Sequence, residues 1–197
     1  IIDHHLTWAD HIEMVLRKVS KSIGIICRAR SCLSLTSLKS LYYTFIYPYL
    51  NYCNVCWGLA AHCHVNKLFI LQKRIVRIIS GVPRRQHSLP LFQKLDILNI
   101  FNLNKLHLAM FCYKFVNSLL PPLFQDNFIK VQNIHHYSTR NNDRNNFYVQ
   151  RVRTVYKEMT AQYQAPIFWN TLDVSLKSLP TLRMFKRQTK LSLLKAK

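Results

Sequence analysis

Apolar residues recur at helical spacing near the start of the chain. The first run repeats every three or four residues, at Ile12, Val15, Val19, Ile23 and Ile26. This spacing lines up one face of an α-helix. Residues 7–10 have the form of a capping box, with Thr7 as the N-cap and Asp10 reaching back to it. The pattern therefore predicts a first amphipathic helix whose outer side is basic.

Two further helical regions precede the first clear break in the pattern. Residues 36–57 are apolar at helical spacing, and Pro48 removes one backbone donor within them, so we expect a kink there. Residues 66–80 carry a second apolar stripe, formed by Leu68, Leu71, Ile75, Ile78 and Ile79. Gly81 and Pro83 are typical residues for ending this helix.

The pattern becomes less regular after Pro83 but stays helical. Helical spacing returns at residues 89–95, 101–120, 167–176 and 181–194. Residues 132–146 are rich in Asn, His and Arg and predict a loop, and residues 147–155 predict a strand or a short extended segment. The fold class is therefore mainly α, with a helical domain over 1–82 and a smaller helical region over 83–197.

Composition adds a strong positive charge to this picture. The 197 residues include 28 Lys and Arg against 8 Asp and Glu, which gives a formal net charge of +20. A folded, aromatic-rich chain this basic most often meets a polyanion, usually nucleic acid. For any single basic cluster, a solvated helix face is the alternative. With 3 Gly and 49% hydrophobic residues, the chain belongs to neither the collagen-like nor the disordered class.

Residues able to bind metals or catalyse reactions do not form a familiar motif. The nearest approach to a zinc site is the set Cys53, Cys56, His62, Cys63 and His64. In a typical zinc site a long loop separates two pairs of ligands, whereas His62, Cys63 and His64 are consecutive and lie close to Cys56 in the sequence. We therefore interpret Cys53 and Cys56 as small residues packed in the core. We interpret Asp10 and Glu13 as residues that stabilise the start of a helix, and not as ligands of two metal ions. We expect no catalytic and no metal-binding residues in this sequence.

The N-terminal residues and the apolar segments of the sequence bear on the location of the protein in the cell. The chain begins without Met and reads as part of a longer protein. No signal peptide is visible, and the most apolar stretch, residues 41–50, is too short to span a bilayer. We expect no membrane partner and an intracellular location, nuclear or cytoplasmic.

A series of short segments carries a family resemblance. In order, they are LYYTFIYPYLNY at 41–52, WG at 57–58, LQKRIVRIISG at 71–81, PLF at 90–92, LDIL at 95–98, YKF at 113–115, LLP at 119–121, RVRT at 151–154, PIFWNTL at 166–172 and FKR at 185–187. Together they resemble the region after the palm in reverse transcriptases of non-long-terminal-repeat (non-LTR) retrotransposons of the jockey-like kind. Ala165 and Asp173 depart from the family pattern, which commonly has Gly and Pro there.

This resemblance implies that the chain is part of an RNA-directed DNA polymerase of a transposable element. Residues 1–82 would form a thumb-like bundle, and the palm with its catalytic carboxylates would lie upstream of Ile1. The implied partners are an RNA template, a DNA primer or target, and the missing palm and fingers domains. The parent polymerase is expected to need Mg²⁺, whereas this part is expected to hold no cofactor and to lack activity of its own.

The basic helix faces supply the candidate contacts to nucleic-acid phosphates. These are Arg17, Lys18, Lys21, Lys73, Arg74, Arg77, Arg84 and Arg85. They are inferred from their position on predicted helices and the adjoining loop. Three alternatives remain open at this point: a small structural zinc-binding protein, a non-functional remnant of a degraded element, and a basic amphipathic protein on anionic membranes.

Overall fold

The computed structural model describes residues 1–134 and 145–195, and this part of the chain is mainly α-helical, as the sequence predicts. Most of the predicted loop over 132–146 lies outside the described residues. The chain divides into two compact units, 1–103 and 104–196. The domain boundary that the sequence places after residue 82 stays a prediction.

The first unit is a bundle built around two long helices. Its helices are α1 (Ala9–Ala29), α2 (Leu35–Phe45), α3 (Tyr47–Asn51), α4 (Asn54–Trp57), α5 (His62–Ser80), α6 (Leu89–Leu95) and the start of α7 (Ile100–Val116). Helix α1 packs on α5, α2 and α3, and α5 also contacts α2 and α6. The predicted apolar stripe of α1 is buried in this bundle.

The residues that stabilise the start of α1 differ from those that the sequence predicts. The helix begins at Ala9, and Trp8 before it takes a left-handed backbone conformation with φ 60°. The carboxylate of Asp3 accepts the N–H groups of Thr7 and Trp8, both at 2.9 Å, and the Thr7 hydroxyl at 2.7 Å. These bonds hold the pKa of Asp3 at about 2. The predicted capping box is therefore wrong, because the stabilising carboxylate lies upstream of the helix.

The predicted helix over 36–57 is divided into three. Ser34 caps α2 by accepting the N–H of Ser37 at 3.2 Å. Helix α2 ends at Phe45, and Ile46 separates it from α3. Pro48 occupies the second position of α3, where the missing N–H costs little. A second break follows at Cys53, whose φ is 48°. Cys53 and Cys56 are both exposed, so their interpretation as core residues is wrong.

A single buried amide joins three elements of the first unit. The side chain of Gln72 on α5 is buried, and its Nε2 donates to Tyr42 Oη at 3.0 Å and to the Leu98 carbonyl at 3.3 Å. Its Oε1 accepts the N–H of Ile100 at 2.7 Å, at the first residue of α7. Gln72 thus supplies partners for polar groups that would otherwise be buried without them.

In its described residues, the second unit contains the rest of α7, two short 3-10 helices (Pro122–Phe124 and Val131–Asn133) and four further α-helices. The α-helices are α8 (Val155–Glu158), α9 (Ala161–Thr171), α10 (Val174–Lys177) and α11 (Leu182–Lys195). The helix predicted over 167–176 is thus two helices. In the described part of the predicted extended segment, Phe147 pairs with Lys130 in an isolated antiparallel bridge, and no strand forms.

Aromatic rings form the core of the second unit. Tyr113 of α7 stacks on Phe185 of α11 with 4.5 Å between ring centroids. Trp169 of α9 lies 5.9 Å from both Phe185 and Phe147. All four rings are buried, and Phe128 adds a further contact to Phe147 at 5.2 Å. The geometry of these contacts is that of ordinary aromatic packing, so these aromatic residues stabilise the fold.

We predict that replacing Gln72 by Leu destabilises the protein by roughly 2–4 kcal/mol, because buried partners lose their hydrogen bonds while volume is nearly kept. Urea unfolding followed by circular dichroism measures the change. Gln188→Leu is the matched control, since Gln188 is exposed on α11 and its loss should cost about 0.5 kcal/mol or less. Equal stability of the two variants would contradict the role assigned to Gln72.

Candidate nucleic-acid interface

The packing of α1 on α5 brings the ends of both helices together. His11, near the start of α1, lies 5.5 Å from the ring of Trp57, shortly before α5 begins. Arg30, just after α1, reaches the end of α5, where a Cβ added to Gly81 would lie 3.4 Å from Arg30 Nη2. The two helices therefore run in the same direction, and their C-termini share one end of the unit.

An open groove with a volume of about 440 Å³ lies at this shared end. It is lined by four arginines and four apolar or thiol side chains: Arg30, Arg74, Arg77, Arg84, Cys27, Ile70, Ile78 and Val82. We call it the arginine groove. The arginines form its charged part, and the aliphatic residues form an apolar wall beside them. Arg30 and Arg84 lie outside the helices, while Arg74 and Arg77 lie on α5.

The arginine groove holds positive charge that no acid in the described part of the chain neutralises. Within residues 1–134 and 145–195, no carboxylate lies within 4 Å of these four guanidinium groups. Helix C-termini carry partial negative charge, which offsets part of the mutual repulsion of the arginines. Each guanidinium presents several N–H donors in a planar fork that matches phosphate oxygens. The groove is therefore suited to bind a polyanion.

Arg77 also shapes the loop that carries Arg84. Its Nε donates to the backbone carbonyl of Gln86 at 2.8 Å. Gly81 ends α5 in a left-handed conformation with φ 72°, and the following N–H of Val82 bonds back to the Arg77 carbonyl at 3.2 Å. Gly tolerates this conformation without strain. The sharp exit from α5 returns the loop toward the helix and places Arg84 in the groove.

The other predicted phosphate contacts lie elsewhere. Arg17 pairs with Glu13, with 3.6 Å between Nε and Oε1, and Lys18 lies 5.2 Å from the centre of the Tyr49 ring. Lys21 is exposed on α1. Lys73 lies 4.1 Å from the centre of the Phe69 ring, away from the groove lining.

The structure thus brings together three of the eight predicted residues. Arg74, Arg77 and Arg84 line the groove, whereas Arg85 is exposed in the same loop outside it. Sequence reasoning missed Arg30. Arg30 follows the last residue of α1, and only its tertiary contact with the Gly81 turn brings it to the groove.

The residues with metal-binding chemistry remain dispersed. Across residues 1–134 and 145–195, no group of three or more His, Cys, Asp or Glu residues is placed to hold a metal ion. This includes the candidate zinc set, since Cys53, Cys56, His62, Cys63 and His64 are all described. No described helix is both long enough and apolar enough to cross a membrane.

Comparison with known proteins gives relatives from mobile elements. The chain is 34% identical over 86 residues to the RNA-directed DNA polymerase from mobile element jockey of Drosophila funebris. It is 28% identical over 106 residues to the probable RNA-directed DNA polymerase from transposon X-element of Drosophila melanogaster. The matched residues make up 42% and 52% of this chain.

About half of the chain is similar to non-LTR retrotransposon reverse transcriptases. The sequence resemblance is thereby confirmed for this reverse-transcriptase-like region. The matches cover 9% of the jockey relative and 12% of the X-element relative, so the chain spans about a tenth of their length. No family model matches the chain. No solved structure matches it either.

We predict that Arg77→Ala loosens the loop that carries Arg84 and Arg85, because the bond to Gln86 is lost. Limited trypsin digestion should then cleave after Arg84 or Arg85 about three- to tenfold faster, as expected for the loss of one hydrogen bond. Mass spectrometry of the early products locates the cut. Arg74→Ala is the matched control, since Arg74 lines the same groove without holding the loop, and it should leave the rate unchanged. Equal rates in both variants would contradict this role.

Proposed function

We propose that this chain corresponds to the helical thumb and downstream region that follows the palm of a non-LTR retrotransposon reverse transcriptase. In this role it grips the template–primer nucleic acid. The observation that carries the proposal is the arginine groove, in which four arginines lie without a carboxylate of the described residues within 4 Å. The similarity to RNA-directed DNA polymerases supports a nucleic-acid partner of this kind.

The chemistry of the groove favours contact with the phosphate backbone. Guanidinium groups bind phosphate oxygens regardless of base sequence, which suits a polymerase that must hold every template it copies. Such contacts release bound counterions, so the affinity falls as salt rises, with a slope of about −0.9 per neutralised phosphate on duplex DNA. Arg30, Arg74, Arg77 and Arg84 are the side chains to which we assign these contacts.

The proposed partners follow from this role. They are an RNA template paired with a DNA primer or target, together with the palm and fingers domains of the parent polymerase. The parent polymerase requires Mg²⁺ for nucleotidyl transfer under this proposal. The described residues of this chain offer no carboxylate cluster that fits Mg²⁺, so we assign no catalytic step to them.

We predict that Arg74→Ala combined with Arg84→Ala weakens binding to an RNA–DNA hybrid duplex about tenfold or more at low salt. The slope of affinity against salt should fall by about 2, one unit for each arginine. Fluorescence anisotropy over a series of salt concentrations, with hybrids of two unrelated sequences, measures both quantities. The wild-type chain should bind both sequences equally.

The matched control is Lys39→Ala combined with Lys94→Ala, which removes the same charge outside the groove. This variant should keep most of the affinity and of the slope. If the wild-type chain binds the hybrid weakly and without salt dependence, the proposed function is wrong. If both double variants lose the same affinity, binding follows net charge and the groove has no special role.

A further inference from the structure

A second surface of the first unit combines aromatic rings with lysines. Phe45 is 39% exposed, Tyr49 is 37% exposed and Tyr52 is 69% exposed, at the end of α2 and along α3. Lys18 and Lys21 on the neighbouring α1 are also exposed. We call this surface, formed by these five residues, the aromatic face. Aromatic rings exposed beside lysines are a candidate interaction site.

The same segment already supplies the rings that the fold needs. Tyr42 is fully buried and bonds to Gln72, and Tyr43 donates its hydroxyl to the Asp96 carbonyl at 3.1 Å. Leu50 of α3 is also fully buried. Packing within the first unit therefore accounts for these residues, whereas the Tyr52 side chain is 69% exposed and the Tyr49 ring is partly exposed beside Lys18.

The backbone that carries the aromatic face is fixed to its surroundings. Ser22 Oγ on α1 donates to the Phe45 carbonyl at 3.2 Å, which ties α1 to the end of α2. The indole N–H of Trp57 donates to the Tyr52 carbonyl at 2.7 Å. Lys18 Nζ lies 5.2 Å from the centre of the Tyr49 ring. The Lys18 ammonium and the Tyr49 ring are thus held next to each other before any partner arrives.

We propose that the aromatic face binds an unpaired stretch of nucleic acid, with bases stacked on Tyr49 and Tyr52 and phosphates bound by Lys18 and Lys21. Unpaired bases expose the flat surfaces that stack on aromatic side chains, whereas paired bases in a duplex are already stacked on their neighbours. The inference rests on the proposed function and adds to it a second ligand, the single strand. The arginine groove has no aromatic lining residue and so is suited to phosphates alone.

The charge of the face favours nucleic acid over a protein partner. Lysines are depleted at protein–protein interfaces, yet Lys18 lies beside the Tyr49 ring and Lys21 is exposed about one turn further along α1. In the described part of the chain, no carboxylate lies within 4 Å of Lys18 or Lys21. The face therefore offers uncompensated positive charge directly beside surfaces for stacking, which is the combination found in proteins that bind single strands.

The test compares two single strands that differ only in their bases. One is an oligothymidylate of about 12 nucleotides, within the site sizes typical of single-strand binders. The other has the same phosphates and sugars but lacks every base. Fluorescence anisotropy with the full chain should show that it prefers the thymidylate by about tenfold or more. Tyr49→Ala combined with Tyr52→Ala should abolish this preference while leaving the affinity for a hybrid duplex unchanged.

Tyr49→Phe combined with Tyr52→Phe is the matched control, because both rings remain, and it should keep the preference. Photocrosslinking of a 4-thiothymidine strand to the wild-type chain gives a second readout that does not depend on the folding of a variant. Crosslinks should map to Tyr49 or Tyr52. Crosslinks that map only to other parts of the chain would overturn the inference.

The remaining outcomes separate this inference from the proposed function. If the wild-type chain binds both strands and the duplex equally well, the proposed function survives and the aromatic face has no stacking role. If it binds none of them, both ideas are wrong. Self-association that disappears in the Tyr49→Ala and Tyr52→Ala variant, without any preference for bases, would assign the face to a protein contact and overturn the inference.

Discussion

The packing of α1 against α5 is the interaction on which the rest of the first unit depends. Both helices bury a stripe of Ile, Val and Leu side chains, and each such fully buried side chain contributes roughly 1.5–3 kcal/mol. Because the helices run in the same direction, their C-termini meet. This arrangement brings Arg30 beside Gly81 and creates the arginine groove. The apolar stripes thus determine where the positive charge is concentrated.

Concentrating positive charge at the arginine groove destabilises the fold through electrostatic repulsion. Four guanidinium groups repel one another, and no carboxylate of the described residues lies within 4 Å of them. The negative ends of two helix dipoles and the bond from Arg77 to the Gln86 carbonyl offset part of the repulsion. A bound phosphate backbone would remove more of it. Under the proposed function, the groove concentrates part of the positive charge of the chain where a phosphate backbone would bind.

Helical periodicity predicted much of the fold. It gave the buried stripe of α1 and the end of α5 at Gly81, because both depend on interactions between neighbours along the chain. It missed the role of Gln72, since a polar residue among apolar ones reveals its partners only when α2 and α7 are in place. It also placed Cys53 and Cys56 in the core, whereas a left-handed residue at Cys53 breaks the helix and leaves both exposed.

The candidate site was less predictable than the fold. Helical spacing identified Arg74 and Arg77, because they lie off the apolar stripe of α5. It grouped them with Arg17 and Lys18, which lie on a different surface, because the sequence does not show which helix faces point the same way. Arg30 was missed because it reaches the groove only through a contact between α1 and the end of α5. The place of a side chain beyond a helix end depends on tertiary contacts, here with the Gly81 turn.

Arginine footprinting tests the central claim most directly. Phenylglyoxal labels accessible guanidinium groups, and mass spectrometry reports the labelling of each arginine with and without an RNA–DNA hybrid duplex. The account predicts that the duplex protects Arg30, Arg74 and Arg84 strongly, and Arg17 much less. Unchanged labelling of the groove arginines, under conditions in which the duplex is bound, would contradict it.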